Sequence, residues 1–257
     1  MKSDNNDIRV VWLDLDDTLI DFTTNSRLAL TKMRADEPLL SSLFPDAAVW
    51  VETYERHNMA LWAEYNMGRI TRDFLRQQRF IRPLLDGGCQ PDEAREAARR
   101  YDTLYLDYLA REKQLMPGAI DLLRSLRSRG LTIGILSNGF KEVQYRKITN
   151  AGLAPWIDLT VLSDDIDVNK PDPRIFAYAM TRAGDTDPAH HIMIGDNPAT
   201  DISGALAAGW RAVWYHPERA FAGTPCPAGA AEVTRLPAIP PLLGQSPDTT
   251  SDAAQHP

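Results

Sequence analysis

The sequence predicts an α/β fold, in which a doubly wound, Rossmann-like parallel sheet carries an inserted helical domain. Two observations predict it. Short, mostly continuous apolar runs of the kind found in strands buried on both faces stand at residues 10–13, 131–136, 157–162, 192–194 and 211–215. Helical patterns separate the later runs, as in alternating strand and helix folds, whereas residues 22–114 show helical patterns without a convincing strand.

The helices between the later strands have recognisable ends. Their apolar residues recur at helical spacing, and each segment is followed by a glycine, which is common just beyond a helix C-terminus. The three segments are residues 118–129, 173–183 and 201–208. The second opens with Pro173, a residue well suited to a first helical turn.

The long insertion predicts a domain of its own. Amphipathic patterns cover residues 46–66, 71–82 and 91–111, with breakers at Gly68, Pro83 and Gly87-Gly88. We therefore expect a core made of residues 1–21 and 114–244, a helical domain of residues 22–113, and hinges at 21–22 and 113–117. The tail of residues 245–257 lacks an apolar face, which predicts disorder.

Composition excludes several classes of protein. The chain has 257 residues, is 44% hydrophobic and carries a net charge of −7, which argues against binding a nucleic acid polymer. No apolar run approaches the roughly 18–20 residues that span a membrane. Cys89 and Cys226 lie far apart without zinc-ligand spacing, so a reduced cytoplasm is the expected setting. We expect a monomer or a homodimer.

Polar side chains follow four of the predicted strands or their loops. Ligand sites of open α/β sheets lie beyond the carboxyl ends of the strands, so these side chains are expected to converge. They are Asp14, Asp16, Asp17 and Thr18; Ser137, Asn138 and Gly139; Asn169 and Lys170; and Gly195, Asp196, Asn197 and Asp201. Their convergence predicts one catalytic site.

The carboxylates at this edge predict a cation. Asp14, Asp16 and Asp196 repel one another and resist desolvation unless a positive charge lies among them. Hard oxygen ligands without histidine or cysteine favour Mg²⁺. With its charge balanced in this way, Asp14 stays ionised and can attack as a nucleophile to form an aspartyl-phosphate.

The remaining polar residues suit the other parts of a phosphoryl transfer. Asp16 lies two positions after Asp14 on extended chain, so it points to the same side and can protonate the leaving oxygen and then activate water. Ser137 and Lys170 can bind phosphoryl oxygens and balance charge. Thr18 is expected to order the turn, and Asp17 to face solvent or the hinge.

Each motif has a simpler interpretation. Any of these loops taken singly can be an ordinary turn, and Asp196 or Asp201 can act as the N-cap of the next helix. A calcium-binding EF-hand loop is excluded, because Leu19 and Asn25 stand where it needs glycine and glutamate. The chain also lacks the glycine-rich loops of dehydrogenases and P-loop kinases. Four independent turns explain the convergence less well than one site does.

The chain is similar to the haloacid dehalogenase-like (HAD) hydrolases, with four motifs in order. They are residues 14–18 (DLDDT), 137–139 (SNG), 170–171 (KP) and 195–201 (GDNPATD). The resemblance implies Asp14 as the nucleophile and Asp16 as the general acid and base. It implies Mg²⁺ held by Asp14, the backbone carbonyl of Asp16 and Asp196, with Asp201 near Lys170. Asp16 also favours phosphoryl chemistry, because dehalogenase-like members lack this second aspartate, and the insertion resembles the helical C1 cap.

The cap also suggests a substrate class. Residues 61–71 (LWAEYNMGRIT) and 137–140 (SNGF) resemble the bacterial pyrimidine 5'-nucleotidases. The resemblance implies a small phosphomonoester, with Asn138, Gly139, Phe140, Trp62 and Tyr65 as substrate-binding residues. The three aromatic rings can enclose a base or simply pack within the cap. Alternatives are a sugar-phosphate or phosphoglycolate-type phosphatase, a phosphomutase, and a HAD scaffold used as a binding module.

Overall fold

The computed structural model of the protein describes residues 8–217 and 223–244. Its strands are β1 (Val10–Leu13), β2 (Thr132–Ser137), β3 (Leu159–Leu162), β4 (His191–Gly195), β5 (Arg211–Tyr215) and β6 (Ala231–Val233). They form one parallel sheet in the order β3-β2-β1-β4-β5-β6. This sheet and the helices between its strands confirm the predicted fold class.

A group of five helices follows β1, ahead of the last helix before β2. They are α1 (Phe22–Asp36), α2 (Pro38–Leu43), α3 (Ala47–Asn66), α4 (Arg72–Asp86) and α5 (Pro91–Leu109). The group has its own apolar core, in which the rings of Trp50, Tyr54, Phe80 and Tyr105 pack with neighbouring centroids 5.1–5.9 Å apart. Burial of these large side chains stabilises the packing of the five helices.

Four more helices cover the sheet. They are α6 (Ala119–Ser128), α7 (Lys141–Asn150), α8 (Pro173–Ala183) and α9 (Ser203–Ala207). Val11 and Leu13 pack with α6 and α7 on one face, whereas Val10 and Trp12 pack with α8 and α9 on the other. Because side chains alternate along a strand, this arrangement buries both faces and explains the continuous apolar runs.

Some local expectations were wrong. The proline at position 83 does not end a helix: α4 continues through it to Asp86, and Pro83 is buried. Neither Asp196 nor Asp201 caps the helix after β4; Asn197 does, and its side chain accepts hydrogen bonds from the N–H groups of Ala199 and Thr200. The short strand β6 was not predicted, because its three residues do not form an apolar run. The tail of residues 245–257 lies outside the described residues.

The chain crosses between the sheet and the helical group at two adjacent places. Ile20 forms a bridge with Leu115, and the N–H of Asp21 donates to the carbonyl of Gln114 at 3.0 Å. The Asn25 side chain closes the junction by accepting from the N–H of Gln114 and donating to its carbonyl. None of the described helices is long and apolar enough to cross a membrane.

Candidate active site

The site lies where β1, β2 and β4 end. Asp14 follows β1, and its N–H donates to the carbonyl of Ile194 in β4 at 2.9 Å. Ser137 ends β2, and Asp196 follows β4. Because parallel strands run in one direction, these three residues meet at one edge of the sheet, as the sequence predicted.

Lys170 joins two of the carboxylates. Its amine donates to Asp14 Oδ1 at 2.6 Å and to the carbonyl of Leu136 at 2.7 Å, and it lies 2.7 Å from Asp201 Oδ1. The lysine is only 1% exposed. Burial disfavours its charged form, yet Asp14 and Asp201 hold the pKa of Lys170 above its usual value. It is therefore a fixed cation at neutral pH.

One lysine does not balance this cluster. Burial, with the charges of Asp201 and Asp16, raises the pKa of Asp14 to about 7 although Lys170 opposes the shift. Burial and the charges of Asp201 and Asp14 also raise the pKa of Asp196 well above its ordinary value. In both cases burial contributes most to the shift and the neighbouring carboxylates add to it, so an added cation would favour the ionised forms. The site is suited to an added cation.

The segment after β4 builds the Asp201 side of the site. Asp201 lies in the turn Pro198–Ile202, is 1% exposed, and accepts a hydrogen bond from the N–H of Asn197 through Oδ2 at 3.1 Å. A Cβ at Gly195 would clash with this carboxylate, so glycine is needed for the close approach. Both oxygens of Asp201 are therefore engaged, one with Lys170 and one with backbone.

Asp16 has a separate set of partners that sequence reasoning missed. The amine of Lys147 lies 2.8 and 3.0 Å from its two carboxylate oxygens. Gln144 Nε2 donates to Asp16 Oδ2 at 3.0 Å and to Ser137 Oγ at 2.8 Å. Both partners lie on α7, three positions apart and so on one face of the helix. No helix was predicted at α7 from the sequence, and only that prediction would have placed Gln144 and Lys147 on one face.

The residues after β2 make contacts within the protein. Asn138 Oδ1 accepts from the N–H of Lys170 at 2.7 Å, and its Nδ2 donates to the carbonyl of Lys170 and to Asn66 Oδ1 in α3. A Cβ at Gly139 would clash with the side chain of Gln144. Asn138 thus fixes the lysine loop, and Gly139 makes room for the contact between α7 and Asp16.

The turn after β1 is ordered by Asp17. This residue has a φ of 55°, and its carboxylate accepts hydrogen bonds from the N–H and the hydroxyl of Thr23, both at 2.9 Å. Burial raises the pKa of Asp17 to about 6. Thr18 is fully buried, but its hydroxyl has no partner among the described residues. Asp17, rather than Thr18, ties the turn to the start of α1.

A cavity of about 290 Å³ lies between this edge and the helical group. Every residue predicted to catalyse the reaction or to bind substrate or metal contributes to its wall, except Tyr65. The aromatic rings form one cluster, in which the centroid of Phe140 lies 5.2 Å from that of Trp62 and 5.8 Å from that of Tyr65. Trp62 and Phe140 reach the cavity, and Tyr65 supports them from behind.

The same cluster joins α4 to the edge of the sheet. The guanidinium of Arg72 lies 4.5 Å from the centroid of the Phe140 ring. It donates to Asp164 Oδ2 at 3.1 Å and pairs with Glu142 at the start of α7. The N–H of Lys141 also donates to Asp164, so this carboxylate is shared between the two sides. These contacts hold the helical group over the cavity.

Arg72→Ala is expected to loosen the contact between the helical group and the start of α7 without unfolding the protein. The Arg72 side chain is 34% exposed, and partly exposed ion pairs contribute about 0–1 kcal/mol each. We expect faster amide hydrogen exchange in the first turn of α7, with the free energy of unfolding lowered by less than about 1 kcal/mol. Arg95→Ala, which removes an exposed pair within α5, is the control. Unchanged exchange at α7 would contradict the expectation.

Comparison with known proteins agrees with this geometry. The family model described as haloacid dehalogenase-like hydrolase matches residues 8–209. Pyrimidine 5'-nucleotidase YjjG of Escherichia coli is 31% identical over 206 residues, covering 80% of this chain and 85% of the relative. Phosphoserine phosphatase of Thermus thermophilus is 33% identical over 233 residues, covering 80% and 88%.

A solved structure is also similar along nearly the whole chain. The HAD-hydrolase YfnB of Bacillus subtilis, in a crystal structure bound to magnesium, has a TM-score of 0.77 at 26% identity and covers 92% of this chain and 99% of that chain. The parallel sheet with carboxylates and a lysine at its carboxyl edge defines a hydrolase built on a doubly wound sheet. The chain belongs to the haloacid dehalogenase-like hydrolase family, which confirms the resemblance seen in its motifs.

Proposed function

We propose that the chain is a Mg²⁺-dependent phosphatase that works through an aspartyl-phosphate on Asp14 and prefers pyrimidine nucleoside 5'-monophosphates. The observation that carries the proposal is the pairing of Asp14 with the buried amine of Lys170 at 2.6 Å, beside Asp16 in one cavity. A nucleophile, a fixed cation and a second carboxylate for proton transfer are the groups that phosphomonoester hydrolysis needs.

The residues divide the reaction into two steps. The Asp14 carboxylate attacks phosphorus, the bond from phosphorus to the leaving oxygen breaks, and Asp16 gives that oxygen a proton. Asp16 then takes a proton from a water that attacks the phosphorus of the acyl phosphate, which releases inorganic phosphate and restores Asp14. Lys170 and the hydroxyl of Ser137 bind phosphoryl oxygens during both steps.

The carboxylates fit a magnesium ion. Asp14, Asp196 and Asp201 each offer an oxygen, and these oxygens lie within 4.8 Å of one another. Because hydrogen bonds engage both oxygens of Asp201, we assign the ion to Asp14 and Asp196, with the backbone carbonyl of Asp16. When bound, Mg²⁺ would offset the charge of the carboxylates and polarise the phosphoryl group. Asp201 then does not bind the ion and instead holds the amine of Lys170 in place.

The cavity supports a small substrate with a flat group. Its volume of about 290 Å³ lies just below the roughly 300–1,000 Å³ usual for small-molecule sites. Trp62 of α3 and Phe140, which follows β2, offer aromatic surface against which a base can pack. The similarity to nucleotidase YjjG favours the same class. We assign residues 22–113 the role of a cap that selects substrate and limits water.

A screen of phosphomonoesters tests the proposal. With Mg²⁺, UMP and dTMP are expected to rank at the top by kcat/KM, ahead of sugar phosphates, phosphoglycolate and phosphoserine. Chelation of the metal is expected to remove the activity, and Asp196→Asn to weaken Mg²⁺ binding. Phosphoserine as the best substrate would replace the nucleotide assignment and keep the reaction class; the 33% identical relative makes this the alternative to include.

Two other outcomes of the screen would overturn the reaction itself. An isomerised sugar phosphate formed without release of inorganic phosphate would show a phosphomutase. No turnover of any phosphomonoester with Mg²⁺ would favour a binding module. A phosphorylated protein trapped on rapid acid quench, and absent in Asp14→Asn, would support the aspartyl-phosphate.

A further inference from the structure

The two carboxylates proposed for catalysis each contact their own lysine. Asp14 contacts Lys170, whose amine also contacts Asp201. Asp16 contacts Lys147, which belongs to a different element, α7, and reaches both carboxylate oxygens. The family motifs account for Lys170 but assign nothing to Lys147 or to its neighbour Gln144.

Lys147 is built into the site. Its side chain is only 9% exposed, and its amine lies 4.4 Å from the centroid of the Phe22 ring at the start of α1. The contact with the aromatic face is a second restraint on the amine, beside its contact with the carboxylate. A surface ion pair would have neither this burial nor a third partner, so the position of the amine is determined by packing.

Gln144 adds a second restraint on the same carboxylate. It is fully buried and links Asp16 Oδ2 to the hydroxyl of Ser137 through one amide nitrogen. Gly139 leaves the space that the amide occupies. The Asp16 carboxylate is therefore held by two side chains from one helix face, while it stays 27% exposed at the cavity.

We propose that Lys147 and Gln144 are positioning residues that aim the Asp16 carboxylate at the leaving-group oxygen of the substrate. The inference rests on the proposed function, because it needs Asp16 to transfer the proton. Proton transfer requires heavy atoms within hydrogen-bond reach, and small misplacements of a catalytic group cost large factors in rate. The pair acts through Asp16 and does not itself touch the phosphoryl group.

Leaving groups of different acidity separate this role from a structural one. p-Nitrophenolate leaves without protonation near neutral pH, whereas phenolate, with a pKa of about 10 for its conjugate acid, needs a proton. The value of kcat/KM reports the steps up to departure of the leaving group. Lys147→Met is expected to lower kcat/KM for phenyl phosphate about 10- to 100-fold and for p-nitrophenyl phosphate by less than about 3-fold.

Matched variants complete the test. Lys147→Arg is expected to retain most of the activity with phenyl phosphate, because a cation still faces Asp16. Gln144→Leu is expected to show the selective loss in weaker form. Lys141→Met removes an exposed lysine of the same helix, which pairs with Asp165. It is expected to leave kcat/KM unchanged for both substrates.

The Asp16→Asn background shows through which residue Lys147 acts. If the inference holds, adding Lys147→Met to Asp16→Asn causes no further loss with phenyl phosphate. Equal losses for both substrates in Lys147→Met, no loss, or a further loss in the double variant would each overturn the inference. Full activity of Asp16→Asn alone would instead overturn the proposed role of Asp16. The selective loss in Lys147→Met and the result in the double variant are both independent of whether nucleotides are the preferred substrates.

Discussion

Asp14→Asn is expected to abolish turnover while the fold persists. The amide keeps the size of the carboxylate, but it lacks the charge needed to attack phosphorus, and loss of a catalytic nucleophile lowers kcat by at least about 10³-fold. Steady-state hydrolysis of the best substrate in Mg²⁺ measures the effect. Circular dichroism and thermal unfolding report on the fold.

The variant needs a control for the loss of any aspartate. Asp121→Asn removes a carboxylate paired with Arg124 on the exposed side of α6, away from the cavity, and is expected to keep full activity. Hydrolysis by Asp14→Asn at the rate of the unaltered protein would show that Asp14 is not the nucleophile. If Asp14→Asn does not fold, the phosphorylated form of the unaltered protein, trapped by acid quench, tests the role of Asp14 instead.

Lys170→Met is expected to cause the largest loss of stability. It removes the amine between Asp14 and Asp201 and leaves both buried carboxylates, and the carbonyl of Leu136, without that partner. Removing one member of a buried ion pair costs about 3–5 kcal/mol. Urea unfolding in a chelator measures the change, because bound Mg²⁺ would otherwise compensate. Activity is expected to fall by at least about 10²-fold as the phosphoryl oxygens lose a fixed cation.

The double variant Lys170→Met with Asp201→Asn separates the two effects. Removing one of the unpaired carboxylates is expected to restore part of the stability, because the remaining buried charge is smaller. Activity is expected to stay low, since the cation is still missing. Stability of Lys170→Met within about 0.5 kcal/mol of the unaltered protein would contradict the role of Lys170 in balancing the cluster.

The site illustrates which contacts a sequence can and cannot predict. Asp14 follows its strand directly, and Ser137 and Asp196 lie at or just after the ends of theirs, so predicting the strands was sufficient to bring them together. Lys147 and Gln144 follow no strand. They meet Asp16 from 131 and 128 positions away, and only the packing of α7 against the sheet brings them there.

The substrate-binding assignments of the aromatic residues stay predictions. Trp62 and Phe140 reach the cavity, but the three rings also pack against one another at the junction of α3 with the sheet edge. Aromatic residues at these positions suit either arrangement, so the sequence alone does not separate a base-binding surface from a packed one. The phosphomonoester screen addresses this point.

The sequence by itself determined the fold class, the family and the positions of the motif residues, because these depend on local patterns: buried strands and the polar residues that follow them. The tertiary structure decided which charges neighbour which. It showed that Lys170 lies between Asp14 and Asp201, that Asp16 lies with Lys147 and Gln144, and that Asp17 orders the turn to α1. Electrostatic balance depends on distances of a few ångströms between residues far apart in the chain, and only packing sets those distances.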